Sequence, residues 1–184
     1  EAMVKYAAMI KFGQGIIYNK REESLKFYKI AADNGNVDSM RILGLNLELM
    51  NDPLQMEEAI KYYKMAAEKG DVESMRYCAE AYYNGKGIPS NKEEAIKYYK
   101  MAAEKGEKKC IVQYAVMKRN GEGTETDSEE ALKYFKIGLD NDDENAIFYY
   151  AEMLINGEGT PVNIEEGIKY LKIAADKESP NALY

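Results

Sequence analysis

Few side chains in this chain could do chemistry, and histidine is absent. That excludes Ser-His and Cys-His catalysis and any histidine-ligated metal. The turns Gly13-Gln14-Gly15, Gly85-Lys86-Gly87, Gly121-Glu122-Gly123 and Gly157-Glu158-Gly159 suggest phosphate loops. Such a loop needs a preceding strand and a helix N-terminus aimed at the anion. These turns follow helical segments, and two put a carboxylate where phosphate would sit, so they read as helix-breaking connectors. The acidic run Asp140, Asp142, Asp143 and Glu144 fails as a calcium loop starting at Asp140. It has Asn145 where the sixth-position glycine is needed and Ala151 where the bidentate glutamate is needed. It reads as a solvated turn with Asp143 capping the next helix. Cys78 reads as core packing, and nothing around either Cys78 or Cys110 supplies the electropositive, accessible setting of a reactive thiol. Glu93-Glu94 resembles an acid/base pair, but neighbours on a helix diverge by about 100°. The pair also recurs along the chain, as a structural feature would. No catalytic residue, metal site or cofactor is expected.

The elements behind these residues must come from 184 residues that are 46% hydrophobic and 31% charged, enough for a sizeable core. The balance of 25 Lys+Arg against 32 Asp+Glu gives net −7, which argues against nucleic-acid or anionic-membrane binding. No apolar run approaches the ~18 residues of a membrane span. Two cysteines do not make a disulfide scaffold. No Asn-x-Ser/Thr site occurs, and no signal pattern stands at Glu1, where the chain reads as starting inside a longer array. The compartment is unknown from sequence, with an intracellular, cytoplasmic one favoured.

Self-similarity organises the chain. Glu22-Glu23-Ser24-Leu25-Lys26-Phe27-Tyr28-Lys29 returns in near copy from Glu57, Glu93, Glu129 and Glu165, at spacings of 35, 36, 36 and 36. Such periods mean stacked units that bury their apolar faces on one another. In the third unit Met75, Cys78, Ala79 and Tyr82 share one helical face, and Ala95, Tyr98, Tyr99 and Ala102 share another. Asp71 and Asn91 stand as N-caps, Gly85 and Gly87 break the chain between the helices, and Gly106 ends the second as a C-cap. Glu93 and Lys97 form an i,i+4 pair.

These residues resemble the Sel-1-like repeat, a tetratricopeptide-related helical hairpin. The pattern is Ser74, Cys78-Ala79, Tyr82, Gly85-Lys86-Gly87, Glu93-Glu94-Ala95, Tyr98-Tyr99 and Ala102-Ala103-Glu104-Lys105-Gly106. The resemblance covers the whole chain. The expected fold is an all-α, right-handed α-solenoid of five antiparallel helix pairs, one domain over 1–184. Its units are 1–36, 37–71, 72–107, 108–143 and 144–179, with 180–184 starting a further helix at Ser179-Pro180-Asn181-Ala182. Departures mark three units. The second lacks Gly-x-Gly, and Asp52-Pro53 starts its second helix early; the first has an extra residue between Gly13 and Glu22. The fourth has Lys118 at the Tyr82 position and Gly138-Leu139 for Ala-Ala, and these departures leave the local curvature open. Cysteine-stapled members of the family are not matched.

The core stripe of the first helices repeats: Met3, Tyr6, Ala7, Ile10; Met40, Leu43, Gly44, Leu47; Ile147, Tyr150, Ala151, Leu154. A second stripe does not. It reads Val4, Ala8, Lys11; Arg41, Leu45, Glu48; Arg76, Glu80, Tyr83; Val112, Val116, Arg119; Phe148, Glu152, Ile155. The resemblance implies that first helices line a concave face, which puts this stripe in the groove. The predicted partner-binding residues are Arg41, Glu48, Arg76, Glu80, Tyr83, Val112, Arg119, Phe148 and Glu152, with a protein or peptide as ligand. Val112, Val116 and Leu45 read equally well as packing between repeats. Asn84, Asn120 and Asn156 read as Asn-Gly helix ends rather than ligands. The expected function is a non-catalytic protein-interaction scaffold. The alternative is a structural spacer built into a larger assembly through convex and edge surfaces.

Overall fold

The computed structural model describes residues 17–50 and 52–177, with side chains from residue 23 onward. Readings that fall on Met3 to Lys11, on Gly13-Gln14-Gly15 and on Ser179 to Ala182 lie outside the described residues. Among the described residues there are nine helices and no strand, the all-α helix-pair class expected from the repeat. The chain divides into two compact units, 1–90 and 91–184.

The first unit contains α1 (Ile17–Asp33), α2 (Val37–Glu48), α3 (Pro53–Glu68) and α4 (Val72–Asn84). Each packs on the next in chain order. The starts follow capping chemistry: the side chain of Asn36 accepts from the Ser39 amide and that of Asp71 from the Ser74 amide. At the departure in the second repeat, Asp52 accepts from the Leu54 and Gln55 amides with Pro53 at the first helical position, as the sequence predicts. α3 therefore runs 16 residues, against 13 for its equivalents in the second unit. Its core is Tyr28, Met40, Leu43, Tyr63, Met75 and Cys78, with alanines at the helix crossings.

The second unit contains α5 (Lys92–Glu104), α6 (Lys108–Asn120), α7 (Ser128–Asp140), α8 (Glu144–Asn156) and α9 (Ile164–Asp176), again packed in sequence. Asn91 and Asp143 cap as expected. At the end of α5 the cap is Lys105, and Gly106 follows it at φ +84°, where the Glu107 amide turns back to the Ala102 carbonyl. The Glu93–Lys97 pair is replaced by Lys97 on Glu94, three residues away, at 2.6 Å. Gly138 has a packing reason: a Cβ there would lie 2.4 Å from Ala146 Cβ, so its absence lets α8 approach α7. Lys118 finds Glu130 at 2.9 Å, so a charge pair replaces the tyrosine of the third repeat.

Among the described residues, the second glycine of each Gly-x-Gly sits on the second helix of the preceding repeat. A Cβ on Gly123 would lie 2.2 Å from the Lys92 carbonyl oxygen, and one on Gly159 would lie 2.5 Å from that of Ser128. Both have positive φ, so space and backbone each demand glycine. Within the first unit, a Cβ on Gly87 would instead meet the side chain of Met56. These turns are connectors that also fasten one repeat to the one before it.

Candidate partner-binding surface

In the described first helices most of the repeated face is buried, with Tyr82 and Tyr150 half-buried, and all nine predicted contact residues are half-buried. In the first unit α2 carries Arg41 and Glu48, and α4 carries Arg76, Glu80 and Tyr83. Arg41 reaches from α2 to the start of α4, with Nη1 2.7 Å from Glu73 and Nε 3.5 Å from Asp71; Nη2 is 3.4 Å from Asp38. Arg76 lies over the Tyr77 ring, 4.4 Å from its centroid, and donates from Nη1 to Glu80 at 2.8 Å. Burial disfavours its charge, but the Glu80 hydrogen bond and charge outweigh that and push its pKa up. The Tyr83 carbonyl accepts from the Ser90 hydroxyl at 3.1 Å.

Glu48 and Glu80 come together around a cleft of about 120 Å³. Met56, Ile60 and Ala81 form an apolar cluster at its floor, with Ile88 packed against it. Tyr63 and Tyr77 form a wall, their rings 4.8 Å apart and tilted by 31°. Asn84 and Lys86 complete the lining. The Tyr63 hydroxyl donates to Glu48 Oε2 at 2.8 Å, and burial first, then this carboxylate, pushes the phenol pKa up. Lys86 donates to the other oxygen of Glu48.

In the second unit α6 carries Val112 and Arg119, and α8 carries Phe148 and Glu152. The Arg119 guanidinium is held by two carboxylates. Nε and Nη2 donate to the two oxygens of Glu158 at 2.6 and 2.9 Å, and Nη1 donates to Glu152 at 2.9 Å. The Arg119 hydrogen bond, against opposing burial, holds the Glu158 carboxyl below its usual range. Val112 leans toward α7, its Cγ2 3.7 Å from where a Gly138 Cβ would be, which favours packing over contact. Phe148 packs edge-on to Tyr149 at 5.5 Å.

The structure thus pairs Arg119 with Glu152, gathers Glu48 and Glu80 around one cleft, and leaves Arg41 engaged with Asp71 and Glu73 instead of its stripe neighbours. Sequence reasoning passed over Tyr63, Tyr77, Lys86 and Glu158. A signal was present: Glu48 faces Lys86 and Arg119 faces Glu158, one junction with its charges reversed. Cys78 and Cys110 are fully buried, and burial pushes the Cys78 thiol up to about 12. Among the described residues no group of three or more His, Cys, Asp or Glu is placed to hold a metal, and no helix is long and apolar enough to cross a membrane.

The family profile described as Sel1 repeat matches residues 1–36, 40–71, 72–107, 109–143 and 144–179. Among solved structures, the chain is similar to a Sel1 repeat protein from Oxalobacter formigenes, 24% identical over 95% of this chain and 72% of that one, with a TM-score of 0.80. It is similar to c5321, a protective antigen of uropathogenic Escherichia coli with an SLR fold. That match is 21% identical over 98% of this chain and 39% of the other, with a TM-score of 0.82. It also resembles the cysteine-rich protein B of Helicobacter pylori, 18% identical over 73% of this chain and 97% of that one, at a TM-score of 0.51. Among curated proteins none matches the chain.

Proposed function

The chain belongs to the Sel1 repeat family, and from that membership we propose that it is a non-catalytic interaction scaffold binding a peptide or partner helix through its first helices. One observation carries the reading: in the described first helices the stripe that varies from repeat to repeat is half-buried throughout, while most of the stripe that repeats is buried. Fold stability explains a repeated buried face and does not require a varied, partly exposed one. Arg, Tyr and Phe on that face are the types that anchor interfaces. Arg76 and Arg119 are held in place by carboxylates before any partner arrives, which lowers the ordering cost of binding.

A second reading, a spacer within a larger assembly, draws on a different surface. The second helices carry exposed Ile30, Met101 and Ile137 at one repeated position, each preceded by a lysine. A displayed peptide library selected on the chain separates the two. Selected peptides titrated against wild type, Arg76→Glu and Phe148→Ala, with circular dichroism confirming the fold, are expected to lose about thirtyfold in affinity, the ~2 kcal/mol of a hot spot. Affinity unchanged in both variants but lost in Met101→Asp or Ile137→Asp overturns the first-helix reading in favour of the spacer.

A further inference from the structure

The cleft of the first unit departs from the third and fourth repeats at Gly44 and Glu48, while Tyr63 keeps their aromatic. Gly44, Glu48 and Tyr63 occupy positions held by Ala79, Tyr83 and Tyr99 in the third repeat and by Ala115, Arg119 and Phe135 in the fourth. Their coincidence has a geometric consequence. A Cβ on Gly44 would lie 2.5 Å from Tyr63 Cε1, so only glycine lets that ring lie against α2. The ring is fully buried there, and its hydroxyl fixes Glu48 Oε2. Glu48 is therefore a carboxylate oriented by a buried phenol, and its remaining oxygen receives an ammonium.

That ammonium belongs to Lys86, whose side chain is 55% exposed on a loop between two glycines. The equivalent loop positions in the second unit are Glu122 and Glu158, so the lysine is particular to this cleft. An exposed ion pair of this kind contributes little to stability, so its exchange for another cation costs little. Around it, Met56, Ile60 and Ala81 offer an apolar floor for a methylene stem, and Glu80, which already accepts from Arg76, is a second carboxylate in the lining. The volume of about 120 Å³ suits one long side chain and falls short of the ~300 Å³ at which small-molecule pockets begin.

We propose that this cleft is a subsite for a lysine or arginine side chain of a partner polypeptide, with Lys86 as the internal cation that the partner's side chain displaces. The stem lies on the apolar floor, and the charged head replaces the Lys86 ammonium at Glu48 with Glu80 nearby. The inference rests on the scaffold reading and names the chemistry of its partner. No covalent step is involved.

The probe is a pair of terminally blocked hexapeptide pools, random except at one fixed position, which carries either lysine or norleucine. Norleucine keeps the aliphatic stem and lacks the ammonium. Wild type is expected to prefer the lysine pool. Lys86→Ala, a change on an exposed loop, should bind the lysine pool about fivefold tighter and leave norleucine binding unchanged. Glu48→Gln keeps an oxygen for the Tyr63 hydroxyl and should abolish the preference. Equal binding of both pools by wild type and Lys86→Ala overturns the subsite and leaves the scaffold reading standing. A lysine preference indifferent to both substitutions overturns it too, since the cation then sits elsewhere. If neither pool binds wild type or Lys86→Ala, the subsite and the scaffold reading fall together.

Discussion

Glu158 and Glu130 hold charge against burial in different ways. Glu158 is held low mainly by its hydrogen bonds from Arg119. At Glu130 burial works the other way, but Lys118 and the Tyr114 hydroxyl, with Lys100 nearby, still leave its carboxyl below the usual range. A carboxyl depressed in the folded state adds stability above its unfolded pKa of about 4.3 and loses it as pH falls through the lower folded value. Glu158→Gln should therefore reduce stability at neutral pH and flatten its loss below about pH 4.3, read by urea denaturation at a series of pH values. Parallel acid losses in wild type and variant would mean that the Arg119 pair contributes nothing to folding. This network was only half legible. Arg119 and Glu152 stand out as a varied stripe, but the partnership with Glu158 needs a turn folded back from the next repeat.

At the scale of elements, the helices and their ends were open to reading, because capping is local chemistry. Asp52, Asp71, Asn91 and Asp143 each accept from amides two or three residues ahead, contacts that short-range spacing suffices to place. The glycines divide into two kinds that sequence cannot separate. Gly106 and Gly123 both have positive φ, yet a Cβ on Gly106 meets nothing within 4 Å and one on Gly123 meets the Lys92 backbone at 2.2 Å. Gly106→Ala should cost about 1–2 kcal/mol from backbone strain alone. Gly123→Ala should cost roughly 1–3 kcal/mol more, because backbone cannot move aside as a flexible side chain would. Equal losses in chemical denaturation would show that the turn does not clamp the preceding helix.

For the molecule as a whole, net −7 sets the field that any partner meets. A lysine- or arginine-bearing peptide is drawn toward an acidic protein, and that steering fades as salt shortens the Debye length from about 30 Å at 0.01 M to about 10 Å at 0.1 M. Raising salt across that range should slow association several-fold and change dissociation little, as stopped-flow mixing with the lysine pool would read. Salt-independent association would show that the field plays no part in capture. The same acidity that argues against nucleic acid argues for a basic peptide.

The sequence by itself determined the repeat, the helix pairs and their boundaries, and which first-helix positions vary, since periodicity and capping depend on residues near one another in the chain. It also determined that no histidine chemistry is available. Only the tertiary structure decided which charges are already spent on one another. Arg41 ends on Glu73, Arg119 on Glu158, and Glu48 between Tyr63 and Lys86. Those pairings join residues 15 to 39 positions apart, at distances fixed by how one helix lies on the next. A missing Cβ at Gly44, which looks like a conservative change in sequence, decides whether a phenol reaches a carboxylate and so whether the cleft holds an oriented charge.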